Sequence, residues 1–145
     1  MSLFTVSLAH LTKEFKLEML YRSSDFEKIQ ITVEDVNRPA LQLAGFFEHF
    51  EPARMQVIGL VEDTYLAGLT PEQRVVTFDR LFSYRPPALI YARHIEPYDE
   101  CMVMARKYNI TILRTAETTS ELVSTMIATL KHYLAPRLTR HGVLV

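Results

Sequence analysis

From Met55 onward this chain alternates short apolar runs with longer amphipathic stretches, and that alternation limits its fold more than any other feature. Met55-Gln56-Val57-Ile58, Ala88-Leu89-Ile90-Tyr91 and Thr111-Ile112-Leu113 are strand-length and mostly apolar, as expected of strands covered on both faces. The intervening stretches space their apolar residues as helices do. Strand, helix, strand, helix, strand, helix implies crossover connections, and therefore an α/β domain of three layers around a mainly parallel sheet.

Local signals place the boundaries. Helical spacing follows Gly59 from Leu60 to Leu66. Thr70-Pro71-Glu72-Gln73 reads as a capping box with proline in the first turn, opening a helix that turns Val75, Phe78, Leu81 and Phe82 inward. Pro86-Pro87 ends that unit. Pro97 starts a helix through Cys101, Met104, Ala105 and Tyr108, and Asn109 suits a left-handed cap. Thr118 with Glu121 predicts a second capping box. After it, Leu122, Val123, Met126, Ile127, Leu130, Tyr133 and Leu134 form the cleanest amphipathic stripe in the chain.

The N-terminal third is less regular. Ser7 can cap a short helix in which Leu8, Leu11 and Phe15 share a face. Leu17 to Tyr21 and Ile29 to Val33 read as strands around the turn-like Ser23-Ser24-Asp25. Pro39 suits the first position of another short helix, and Gly45 its stop. Phe46, Phe47 and Phe50 then either cover the sheet or form a contact with another subunit or domain.

At the other end, Pro136 breaks the last helix, and a basic link leads to the apolar run Val143-Leu144-Val145. That run reads as the first strand of a further domain. The expected division is a domain over residues 1–135 followed by a linker and first strand over 136–145.

Composition narrows the function classes. With 145 residues and 48% hydrophobic content the chain can bury a substantial core. Sixteen basic residues face 17 acidic ones for a net charge of −1, so no global basic field draws nucleic acid or an acidic membrane. No apolar stretch approaches the ~20 residues that span a bilayer. The single Cys101 excludes an internal disulfide, and no charged, apolar leader is evident, so a cytoplasmic setting is expected. On the apolar face of its helix, Cys101 reads as a buried, inert thiol.

Phosphate-loop and dinucleotide motifs are absent, and there are only four glycines to build them. His10, His49, His94, His132 and His141 are scattered singly, without metal-ligand spacing, so no metal or cofactor is expected in these residues. One weaker constellation remains. Ligands of open α/β sheets gather beyond the carboxyl ends of the strands. Those positions hold Gly59, then Arg93 and His94, then Arg114 and Thr115 leading to Thr118 and Thr119. Arginines and hydroxyls beside a helix N-terminus can hold an anion. Arg93, His94, Arg114, Thr118 and Thr119 are the candidate ligand-binding residues; the alternative is capping hydroxyls and solvated arginines.

Several segments, taken in order, carry a resemblance. They are Asn37-Arg38-Pro39-Ala40-Leu41-Gln42-Leu43-Ala44-Gly45-Phe46-Phe47, Arg54-Met55-Gln56-Val57-Ile58-Gly59, Leu113-Arg114 before Thr118-Thr119, and Leu134-Ala135-Pro136-Arg137 with His141-Gly142-Val143-Leu144-Val145. Together they resemble the N-terminal domain of the HPr kinase/phosphorylases, across essentially the whole chain. Family members often have serine where this chain has Asn37, another short polar turn residue.

The resemblance implies a bifunctional bacterial enzyme of carbon catabolite repression, which phosphorylates the phosphocarrier protein HPr on a serine and removes that phosphate. It implies magnesium with ATP or pyrophosphate in the parent enzyme, a homo-oligomer that is hexameric in the family, and a domain similar to the N-terminal domain of the Mur ligases. It matches His141 to a catalytic histidine at the domain junction. The phosphate-loop residues and catalytic aspartate would lie beyond Val145. The present residues would then serve assembly or regulation and catalyse nothing alone. A free-standing, Mur-type ligand-binding module is the alternative.

Overall fold

A computed structural model describes residues 4–136. The chain opens with β1 (Val6–Ser7), α1 (Leu8–Glu14), β2 (Glu18–Tyr21), a 3-10 turn at Phe26–Lys28, β3 (Gln30–Ile31), β4 (Val36–Asn37) and α2 (Ala40–Leu43). It continues through β5 (Met55–Ile58), α3 (Leu60–Ala67), α4 (Pro71–Ser83), β6 (Ala88–Tyr91), α5 (Asp99–Tyr108), β7 (Thr111–Arg114) and α6 (Thr119–Leu134). Five strands form the central sheet in the order β2-β7-β6-β5-β4, while β1 and β3 pair in a separate two-stranded ribbon. Within the central sheet β4 through β7 run parallel, and β2 closes one edge antiparallel to β7. The sheet is thus α/β and mostly parallel, as the alternation predicts.

Strand parity divides the core into two layers, because successive side chains point to opposite faces. Met55, Val57, Ile90 and Leu113 pack with Leu8 and Leu11 of α1 and with Leu122, Met126, Leu130 and Leu134 of α6. Ile58, Leu89, Tyr91 and Ile112 face the other way, onto Leu66, Phe78, Leu81, Phe82, Cys101 and Met104 from α3, α4 and α5. The stripe read in α6 is therefore its buried face.

The expected caps form where their partners are local. Ser7 accepts the His10 amide at 3.0 Å. Thr70 and Gln73 bond reciprocally across the first turn of α4, and Asn109 adopts φ 59° after α5. Thr118 caps α6 by accepting the Glu121 amide at 3.3 Å, but the Glu121 carboxylate does not return the bond, so only half of that box exists. The strand expected over Ile29–Val33 shrinks to Gln30–Ile31. Pro39 precedes the first turn of α2 instead of occupying it. Val75, expected inside, lies exposed, because α4 buries one flank and Val75 sits off its Phe78–Leu81–Phe82 face.

Phe47 and Phe50 pack against the core layer of α3, α4 and α5, and Phe47 stacks on the exposed Tyr84 ring at 4.6 Å between centroids. Phe46 stays exposed. Cys101 is fully buried and accepts a bond from the Tyr91 hydroxyl at 3.1 Å. Burial pushes its thiol up to about 12.

Candidate functional site at the carboxyl ends of the parallel strands

Four parallel strands end side by side, and each delivers residues to one region. Beyond β4 comes Arg38, beyond β5 Gly59 and α3, beyond β6 Arg93, and beyond β7 the turn that starts α6. Arg38, Leu60, Val61, Arg93, Thr118, Thr119 and Ser120 line a cavity of about 250 Å³.

Gly59 is the floor. The point that a Cβ at residue 59 would occupy collides with the hydroxyl of Thr119 and lies 2.9 Å from Arg38 Nη2. Two polar groups from distant segments thus converge over one glycine. Glu62, only 2% exposed, organises this corner from beneath. Its Oε1 accepts the Gly59 amide at 2.7 Å and a bond from Arg38 Nη2 at 3.0 Å. The first fixes the start of α3; the second holds the Arg38 guanidinium, whose side chain is still 40% exposed. Asn37 sets the approach of this segment by donating to Gln42 at 3.0 Å and to the buried Gln56 at 2.7 Å.

Opposite stands Arg93. It and His94 both take left-handed backbone conformations, with φ 57° and 55°. The turn is pinned by bonds from the Arg93 amide to the Glu117 carbonyl and from the His94 amide to the Thr115 carbonyl, each 2.8 Å. The loops after β6 and β7 are thereby tied together. The Arg93 side chain itself pairs with no carboxylate among the described residues.

At α6, Thr118 supplies the cap, whereas Thr119 is 6% exposed and its hydroxyl has no hydrogen-bond partner among the described residues. The amides of Thr119 and Ser120 precede the first intrahelical acceptor, so they are donors without a carbonyl.

Of the five candidate residues, Arg93, Thr118 and Thr119 come together here. Arg114 and His94 do not. Arg114 is 8% exposed and grips Glu18 of β2 through two bonds of 2.9 and 3.0 Å, with Glu96 a further 2.9 Å away. This is a cross-strand clamp on the antiparallel edge. The Arg114 hydrogen bonds hold the Glu18 carboxyl below its ordinary value, and Glu18 in turn raises Arg114. His94 Nε2 sits 4.0 Å from Glu18, on that clamp. Arg38, Gly59, Glu62 and Ser120 were not among the candidates, although each follows a strand or opens a helix. His141 lies outside the described residues, as does the run Val143–Val145. Among the described residues no group of three or more His, Cys, Asp or Glu could hold a metal ion, and no helix is long and apolar enough to cross a membrane.

The layered α/β fold recurs in a solved structure, that of the CBS and DRTGG domains of the regulatory region of a Clostridium perfringens pyrophosphatase, complexed with its activator diadenosine tetraphosphate. The TM-score is 0.60 at 14% identity, covering 97% of this chain and 67% of that one, which establishes the shared fold alone. The sequence is more specific. Residues 6–130 match the family described as HPr Serine kinase N terminus, and the chain belongs to that family. Relatives named HPr kinase/phosphorylase include one from Caldicellulosiruptor bescii, 41% identical over 143 residues, and one from Lachnoclostridium phytofermentans, 39% identical over 143 residues. Each comparison covers 99% of this chain but 46% of the relative, so the chain spans about half the length of the curated relatives it matches. These relatives lend no support to a free-standing module.

Proposed function

We propose that this chain is the assembly or regulatory N-terminal half of an HPr kinase/phosphorylase. The observation that supports it most strongly is the family match over residues 6–130, joined to relatives of that name that are about twice as long. In this reading residues 1–135 form the domain and 136–145 lead into the kinase half, where His141 contributes to catalysis. The parent enzyme moves phosphoryl groups from ATP or pyrophosphate, with magnesium, to a serine of HPr, and also takes them off. It works in the cytoplasm as a homo-oligomer, a hexamer as in the family. The likeness to the Mur ligase N-terminal domain belongs to the same proposal.

The described residues supply a scaffold, with a cavity of about 250 Å³ at the strand ends. Phosphoryl transfer depends on a phosphate cradle, bound metal and a base held together, and no glycine-rich phosphate-loop motif occurs in these residues. Residues 1–145 incubated with HPr, magnesium and labelled ATP should give no more phosphoserine than an enzyme-free blank. The full product of the encoding gene should transfer label to HPr. Transfer by residues 1–145 alone, or none by the full product, refutes the proposal.

A further inference from the structure

We infer that α4 is one half of a two-fold interface: a second copy of this chain docks on the face formed by α2, α3 and α4, with its own α4 running antiparallel to the first. The homo-oligomer proposed above leaves open which surfaces meet. The surface named here rests on the described residues alone.

The face is unusually apolar. Seven of the ten large apolar residues left exposed among the described residues lie between Leu41 and Val76. Scattered apolar residues on a surface are normal, but a gathered patch marks an interaction site. Here α2 packs on both α3 and α4, and a groove of about 370 Å³ runs between them, walled in part by Leu43, Tyr65, Leu69 and Val76. Val61 and Tyr65 stand one turn apart on the same side of α3. Val61 is 64% exposed and Val76 57%.

Charge selects the occupant. Glu72, Val76 and Arg80 fall at every fourth position of α4, so they form one stripe along the helix. Glu72 and Arg80 both line the groove, and their side chains have no ion pair or hydrogen bond among the described residues. By contrast, Arg74 and Asp79 of the same helix are paired with Glu100 and Lys107 of α5. The open acid and base therefore stand about 6 Å to either side of Val76 along the axis. A two-fold axis at Val76 that reverses the helix sets Glu72 opposite the partner's Arg80 and Arg80 opposite the partner's Glu72. An isologous contact needs a surface that is its own complement, and this stripe is one. Parallel pairing would oppose like charges instead. A pair of 13-residue helices is small beside the roughly 800 Å² per partner of a standard interface, so exposed Tyr65 and Phe46 belong to the contact and the dimer is weak.

Sedimentation velocity of residues 1–145, at concentrations bracketing the micromolar range of weak interfaces, should show a reversible monomer–dimer equilibrium. Val76→Glu, at an exposed position where the fold should hold, puts like charges on the axis and should weaken dimerisation about tenfold or more. Glu72→Arg alone turns both pairs into arginine facing arginine and should also cost about tenfold. Adding Arg80→Glu to it restores both pairs in the opposite sense, so the double variant should dimerise nearly as well as the unaltered chain. Circular dichroism confirms that each variant is folded. Monomer at every concentration overturns the inference and leaves the groove to a different protein. The homo-oligomer reading survives that result, because it is measured on the full product of the encoding gene. A dimer indifferent to Val76→Glu, or a double variant as weak as Glu72→Arg, puts another surface at the two-fold and overturns the inference as well.

Discussion

The crowding over Gly59 can be tested by adding a single methyl group. Gly59 has φ −115° and ψ −165°, an extended conformation that alanine adopts without strain. Backbone preference therefore does not oppose Gly59→Ala, and the stiffer unfolded chain would favour it by ~0.4–1 kcal/mol. The steric term has the opposite sign. The new Cβ would collide with Thr119 Oγ1 and stand 2.9 Å from both Thr119 Cγ2 and Arg38 Nη2. Arg38 can swing its guanidinium aside. Thr119 cannot, because a β-branched side chain in a helix has few rotamers and this one is buried. Overpacking of this kind costs ~1–3 kcal/mol, so the net destabilisation should be about 1–2 kcal/mol.

Thr119→Ala deletes both atoms of Thr119 that the methyl would strike. Alone it should be nearly neutral, since it removes an unpartnered hydroxyl and leaves the Thr118 cap intact. In the double variant the penalty of Gly59→Ala should largely vanish, giving a favourable coupling of about 1 kcal/mol or more. Urea unfolding of the four proteins, read as midpoints with a common slope, measures that coupling. If Gly59→Ala costs the same with and without the Thr119 side chain, within ~0.3–0.5 kcal/mol, the close contact between α6 and Gly59 is wrong.

Two further outcomes follow from side-chain chemistry. The Glu18 carboxyl is held below its ordinary 4.5 by its bonds to Arg114, so the clamp contributes stability that is present above the unfolded value and is lost as pH falls through the lowered folded one. An NMR titration should show Glu18 protonating below 4.5, with loss of β2 amide protection in the same acid range; a midpoint at or above 4.5 contradicts the clamp. Cys101, fully buried with its thiol pushed up to about 12, should react with a chromogenic disulfide reagent at the rate of unfolding, and stoichiometric reaction in the folded state within the mixing time would contradict its place in the core.

The β5–β6–β7 framework and its helices are legible in the sequence because their causes are local. Four-residue apolar runs, a threonine before a proline, and an asparagine after a basic turn each act within a few residues. The Arg38 corner depends on β4, a strand of two residues whose existence rests on pairing with Met55 and Gln56, so no periodicity announces it. Arg114 is the opposite case. Its position at a strand end suggested a ligand contact, yet strand parity already placed it on the Ile112 face, with α5, while Leu113 faces α6. A side chain on the α5 face of β7 turns away from the start of α6, and the carboxylates of Glu18 and Glu96 take it instead. Parity, applied to arginine as readily as to leucine, separates the two groups: Arg114 joins the edge clamp. Arg93, lifted off the strand by a left-handed turn, is not bound by parity and can lean across the strand ends. The cavity is therefore a property of how four strand ends are aligned, which is fixed only once the sheet order exists.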